Sequence, residues 1–197
     1  MPRSLVLASS NPGKWREFHA FFQAHAPRWE LRPLPAAIEV EESGSTFVEN
    51  ALLKAKAVAT ALGEWAIADD SGLAVAALGG APGVHSARYA PDDAARIQRL
   101  LREMEGISNR QATFHCAIAV VDPQGQVQAL VEGLCHGEIL TQPRGEGGFG
   151  YDPLFWVPEV GLTFAEMSPT QKEAVSHRGQ ALRALKEQLL ILERRLG

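Results

Sequence analysis

The sequence predicts an α/β fold, a mixed β-sheet flanked by helices. Three observations carry that expectation. From Leu5 to Ala68, strand-like apolar runs alternate with helical patterns, the order that builds parallel strands. Two long runs, Gln111 to Asp122 and Gln126 to Leu140, meet at Pro123-Gln-Gly125 and read as an antiparallel hairpin. The chain then ends on an amphipathic helix. Parallel units plus a hairpin exclude a purely doubly wound sheet. At 197 residues, 46% apolar and 21% charged, the chain suits one domain with room for two lobes.

Each element has its own signal. Leu5-Val-Leu-Ala8 is a short apolar run, read as a buried strand. Asn11 is a good helix cap and Pro12 suits the first helical position; Trp15, Phe18, Phe21 and Phe22 follow at helical spacing. Glu30 to Pro35 reads as a second strand running into a loop, which leads to the acidic segment Glu39 to Gly44. Thr46 and Glu49 form a capping box. Phe47, Ala51, Ala55, Val58, Ala59 and Leu62 share a face, and Gly63 supplies the stop. Trp65 to Ala68 is a strand expected to run into a turn at Asp69-Asp-Ser-Gly72, with a separate strand over Leu73 to Leu78. Gly79 to Ala90 reads as a loop, Pro91 to Glu105 as a helix closed by Gly106, and Gln142 to Pro158 as a Gly/Pro-rich loop. Ser168-Pro169 opens a short helix. Ser176 caps the last helix, whose stripe is Leu182, Leu185, Leu189 and Leu192.

Composition excludes several function classes. A formal charge of −4 argues against a general nucleic-acid coat, which needs a basic surface. No apolar stretch approaches the ~18–20 residues of a membrane span. The apolar part of the N-terminus, Leu5 to Ala8, is too short for a signal peptide. Cys116 and Cys135 have neither metal-ligand nor redox-motif spacing and read as small buried hydrophobes in a reducing cytoplasm.

Five groups of residues exceed what folding alone requires. In Ser9-Ser10-Asn11-Pro12-Gly13-Lys14 a strand gives way to a helix start, where free N–H groups attract anions. Lys14 there opposes the helix dipole, a penalty that a bound phosphate reverses; an ordinary capped helix with a solvated lysine is the alternative. Asp69 and Asp70 repel one another unless a cation is near, and in a strand they point to opposite faces. With Glu41 and Glu42 they offer the hard oxygen ligands that suit Mg²⁺; a solvated acidic turn is the alternative. Asn50 and Lys54 share a helix face distinct from the apolar one, suited to a phosphate or simply to solvent. Gly145 to Pro153 is glycine-rich around Phe149, Gly150, Tyr151 and Asp152; Phe149 suits stacking on a base and Asp152 an N–H group, with a flexible loop whose aromatics pack inward as the alternative. Lys172, His177 and Arg178 are a further cationic set, the last two again at a helix start against the dipole.

These blocks together resemble the inosine/xanthosine triphosphate pyrophosphatases, the Ham1-like enzymes of non-canonical purine nucleotides. The resemblance spans the whole chain. It rests on Ser10-Asn-Pro-Gly-Lys14, Glu42 to Ala55, Ala68-Asp-Asp-Ser-Gly-Leu73, Gly79 to Tyr89, Gly147-Gly-Phe-Gly-Tyr-Asp-Pro153 and Ser176-His-Arg-Gly179, in that order. The resemblance implies a long mixed sheet, two lobes with a central cleft within a single domain over 1–197, and a cytoplasmic homodimer. It implies hydrolysis of ITP, dITP and XTP to the monophosphate and pyrophosphate, with Mg²⁺ required. Residue by residue, it implies that Ser9, Ser10, Asn11, Pro12, Gly13, Lys14 and Lys54 hold the triphosphate and that Ser71 touches substrate. Glu42 and Asp70, helped by Glu41 or Asp69, would hold the metal, and Asp70 would also accept the proton of the attacking water. Phe149, Gly150, Tyr151 and Asp152 would cradle the base, with Lys172, His177 and Arg178 at its edge. Two alternatives remain at this stage: a Maf-like pyrophosphatase, whose first motif carries paired arginines where this chain has Lys14-Trp15-Arg16, and a catalytically silent nucleotide sensor, which would lack Glu42 and Asp70.

Overall fold

The structure, a computed structural model, describes residues 2–35, 38, 40 and 42–197. The chain order is β1 (Arg3–Leu7), α1 (Pro12–His25), β2 (Trp29–Pro33), α2 (Phe47–Leu62), β3 (Trp65–Val75), α3 (Asp93–Glu103), β4 (Gln111–Val121), β5 (Val127–Ile139), β6 (Phe155–Val157), β7 (Leu162–Thr163), α4 (Pro169–Val175) and α5 (His177–Leu196). Seven strands form one sheet in the order β2-β1-β3-β4-β5-β6-β7. The β1–β2 and β1–β3 pairs are parallel, with Arg3 opposite Trp29 and Leu5 opposite Trp65; β5–β6 and β6–β7 are antiparallel. The mixed sheet expected from the sequence is therefore present.

The chain divides into two compact units. The first comprises Met1–Asp70, Cys116–Gly133 and Gln180–Gly197. Its strands bury both faces. On one, Leu5, Leu7 and Ile67 meet Phe18, Phe21 and Phe22 of α1 and Leu182, Leu185, Leu189 and Leu192 of α5. On the other, Val6, Ala66 and Ala68 meet Ala51, Ala55, Val58 and Ala59 of α2. Alternation explains the division, since neighbouring strand residues point to opposite faces. Each fully buried leucine or phenylalanine stabilises the unit by roughly 1.5–3 kcal/mol. Thr46 and Glu49 cap α2 reciprocally, and Gly63 ends it with φ of 64°.

The second unit comprises Ser71–His115 and Leu134–Gly179. Its core gathers Leu73, Val75, Leu100, Met104, Phe114, Tyr151, Leu154, Phe155 and Phe164. Phe114 meets Phe155 edge-on at a centroid distance of 4.7 Å.

Four local expectations are corrected. Asp69 to Gly72 is not a turn: β3 runs unbroken from Trp65 to Val75 and absorbs the strand expected at Leu73, ending in a 3-10 turn over Ala76–Leu78. Asp69 and Asp70 stay extended because lysines neutralise them, as shown below. The loop from Gly79 to Ala90 contains a 3-10 helix over Gly83–Arg88. The loop from Gln142 to Pro158 contains β6, and β7 follows; three and two residues are too few to show alternation in sequence.

Candidate active site

In the first unit, β3 places two successive carboxylates on opposite faces, and each finds its own lysine. Asp69 follows the Ile67 side and meets Lys14 of α1, Nζ to Oδ1, at 3.0 Å. Asp70 follows the Ala68 side and meets Lys54 of α2 at 2.9 Å. Lys54 also donates to Glu42 at 2.5 Å. Asp69 and Asp70 are only 0% and 5% exposed, which excludes the solvated acidic turn. Three acids therefore crowd two lysines. Burial alone would lower the pKa of Lys54, but Asp70, Asp69 and Glu42 outweigh it, so the pKa is raised and the side chain is firmly cationic. One negative charge remains in surplus. Burial accordingly raises the pKa of Asp70 above the usual carboxylate range, despite the opposing pull of Lys54 and Lys14.

Asn50 and Lys54 are not on a separate, solvated face of α2. Both are buried beside Ala51 and Ala55, at 0% and 7% exposure. The Asn50 amide is committed at both ends: it donates to Asp70 Oδ2 at 3.2 Å and accepts the Gly44 N–H at 2.8 Å. Asn50 thus orients a carboxylate and steadies the segment carrying Glu42. Glu41, a metal-ligand expectation, lies outside the described residues.

The start of α1 differs from expectation in one respect. Pro12 has no N–H to offer an anion, and Asn11 Oδ1 accepts the N–H groups of Gly13 and Lys14 at 2.8 and 3.1 Å. Ser9 Oγ accepts the Asn11 N–H at 3.2 Å. The amides expected to meet a phosphate are thus capped internally. Anion attraction at this end must come from Lys14, the exposed Ser10 and the helix dipole.

In the second unit, the glycine-rich loop is held in place rather than loose. Asp152, 3% exposed, accepts from Lys172 Nζ at 2.7 Å and from the Phe149 N–H at 2.9 Å. Gly148 must lack a side chain: its φ is 74°, and a Cβ there would collide with the Asp152 carboxylate. Lys172 Nζ lies 4.7 Å from the Phe149 ring centre. Tyr151 is buried in the core, and its hydroxyl donates to the Ser86 carbonyl at 3.0 Å.

Arg178, 2% exposed, donates to the Ser71 hydroxyl at 2.7 Å. His177, 3% exposed, stacks on Phe114 with ring centres 4.6 Å apart and planes 9° apart. Ser176 accepts the Gly179 N–H at 3.0 Å, as a cap should. Gly179 sits so close to the Glu173 carbonyl that any Cβ would overlap it, which lets α5 begin directly after α4. Phe114 was not legible as a site residue, and Ser86, though inside the Gly79 to Tyr89 block, gave no sign of its contact with Tyr151, which joins positions far apart in sequence.

The donor set fits a divalent hard cation. Glu42 and Asp70 offer oxygen only and carry the surplus negative charge. Among the described residues no group of three His, Cys, Asp or Glu is arranged to hold an ion alone. Mg²⁺ suits such a set because it takes one or two protein carboxylates and completes its shell with water and phosphate. Among the described residues no helix is long and apolar enough to cross a membrane.

Comparison with known proteins places the chain in a family. The chain is 60% identical over 184 residues to the dITP/XTP pyrophosphatase of Thermosynechococcus vestitus, covering 92% of this chain and 93% of the relative. The Ham1 protein of Staphylococcus aureus superposes with a TM-score of 0.84 at 42% identity, covering 95% of this chain and 98% of that one. A Ham1 protein from Coxiella burnetii gives 0.85 at 44%, covering 96% and 99%. The model of the Ham1 family matches residues 5–188, a span that holds every site residue named above, and on that ground the chain belongs to the Ham1 family.

Proposed function

We propose that this protein hydrolyses non-canonical purine nucleoside triphosphates, ITP, dITP and XTP, to the monophosphate and pyrophosphate. The observation that carries the reading is the cluster of Lys14 and Lys54 with Asp69, Asp70 and Glu42, in which Lys54 and both aspartates are buried. A cluster of both signs that keeps a surplus carboxylate can neutralise phosphate and still accept a proton.

Lys14 and Lys54 face the charge of the triphosphate, and Ser9 to Gly13 line its approach. Asp70 takes a proton from water as the water oxygen bonds to the α-phosphorus. The bond from that phosphorus to the bridging oxygen breaks, and the oxygen leaves on pyrophosphate. Burial makes Asp70 a better base than an exposed carboxylate, as the task requires. Glu42 and Asp70 would hold Mg²⁺, which supplies charge neutralisation on the phosphates when bound. The lysines stabilise charge on the leaving group, the dominant need in phosphoryl transfer.

In the second unit, Phe149 offers a face to the base, while Asp152, Lys172, His177 and Arg178 supply polar edges. Hypoxanthine and xanthine carry a 6-oxo acceptor and an N1–H donor, and adenine reverses both. A donor facing the adenine amine is left unpaired, at about 1–3 kcal/mol for each such group.

The test is pyrophosphate release from ITP, dITP, XTP, ATP, GTP and dUTP, with and without Mg²⁺, by wild type and Asp70→Asn. The expected result is preference for the first three, dependence on Mg²⁺, and loss of turnover in D70N with nucleotide binding kept. ATP or dUTP hydrolysed as fast as ITP would remove the assignment; near-normal ITP turnover by D70N would remove Asp70 from the chemistry.

A further inference from the structure

We infer that Asp93 is a positioning residue for base selection, holding the turn that presents Phe149. The inference rests on the reading that this turn meets the purine.

Asp93 opens α3, 57 residues before Gly150, yet its Oδ2 accepts the Gly150 N–H at 2.7 Å. Its Oδ1 meets Arg96 at 2.5 Å. The adjoining residue is held from the same segment, since the Tyr151 hydroxyl donates to the Ser86 carbonyl at 3.0 Å. Ser86 is itself fixed: its hydroxyl donates to the Gly83 carbonyl at 2.6 Å and accepts the Leu73 N–H at 2.9 Å. With the Phe149 N–H on Asp152, three successive residues of the turn each have a separate anchor. The stretch from Gly83 to Asp93, which begins within the Gly79 to Tyr89 block that the catalytic reading leaves without a role and extends past it, is thus a mould for that turn.

Folding alone does not demand Asp93. The cap of α3 is Asp92, which accepts the Ala95 N–H at 2.8 Å. Arg96 is held independently by the carbonyls of Ala87 and Ala90. The Asp93 side chain is 47% exposed, so replacing it opens no cavity. What depends on it is the Gly150 amide. Without the acceptor that N–H turns to water, the turn loosens, and the Phe149 ring loses a fixed plane. Stacking on a flat base is sensitive to such a change; attack at phosphorus, carried by the first unit's residues, is not.

The experiment compares wild type, Asp93→Ala, Asp93→Asn and Phe149→Ala by ITP kinetics, with inhibition by pyrophosphate as the probe of the phosphate side. D93A is expected to raise KM for ITP about five- to tenfold, the loss of one such hydrogen bond, with kcat and pyrophosphate inhibition within twofold. D93N keeps an acceptor oxygen and is expected to restore KM. An unchanged KM in D93A, or failure of D93N to restore it, overturns the role of Asp93 provided F149A raises KM. An unchanged KM in F149A overturns the base-turn reading instead, and Asp93 falls with it. Hydrogen exchange offers a second measurement, also on Asp93→Ser: the peptide across Gly150 should exchange at least tenfold faster while α3 stays protected. Unaltered exchange there overturns the inference whatever the kinetics.

Discussion

Replacing Lys54 by methionine isolates the charge balance of the first unit. Methionine keeps the stem and removes the ammonium, which lies 2.9 Å from Asp70 and 2.5 Å from Glu42. Coulomb's law at an effective dielectric constant of ~20 gives roughly 6 kcal/mol for each contact. Desolvating the ammonium offsets a large part of that sum. Removing one partner from a buried pair costs about 3–5 kcal/mol, because the remaining charge is stranded. Asp70 keeps its Asn50 hydrogen bond and Glu42 is partly exposed, so a loss near the low end, about 3 kcal/mol, is expected. Urea unfolding at neutral pH measures it, with Lys56→Met as the comparison, since Lys56 is exposed on the same helix and should stay within ~0.5 kcal/mol of wild type. Millimolar Mg²⁺ should restore part of the loss in K54M, where the carboxylate surplus is larger. A loss below ~1 kcal/mol would show that Lys54 does not hold Asp70 and Glu42 together.

Two further outcomes are expected. Arg178→Ala should raise KM for ITP and narrow the ITP/ATP ratio, since Arg178 is buried beside Phe149 and bonded to Ser71; an unchanged ratio would separate Arg178 from base reading. Burial, helped by the charge of Glu159, pushes the Cys135 thiol up to about 11. Its thiolate at pH 8 is then roughly one part in a thousand, and labelling by iodoacetamide should rise about tenfold per pH unit until near that value. Rapid labelling of the folded protein at pH 8, read by mass spectrometry, would contradict it.

Much of the fold was legible where signals are local. Thr46, Glu49 and Gly63 marked both ends of α2, and Asn11 with Pro12 marked the start of α1. The continuity of β3 was not legible: two aspartates and a glycine read as a turn, because the lysines that neutralise them, Lys14 and Lys54, sit on helices and meet them only through packing. The lysines, carboxylates and cationic helix start were recognisable as residues that folding alone does not require. Their partners were not. Asn50 read as a solvated or phosphate-facing amide, and only packing showed it turned toward Asp70. Tyr151 was expected at the base only through the family resemblance; its ring is in the core and its hydroxyl bonds to the Ser86 carbonyl. Contacts such as Asp93 to Gly150 leave no periodicity for a sequence reading to detect.

The alternation along β3 has an evolutionary corollary. Conservative exchanges among Ala66, Ile67 and Ala68 alter volume but preserve phase. Deleting or inserting one codon between Trp65 and Ala68 inverts the phase, so that large and small side chains on one side of the change no longer face the helices that fit them. This stretch should therefore accept spelling changes in a mutational library and reject frame-preserving indels of a single residue, while those of two residues, which restore parity, do less harm.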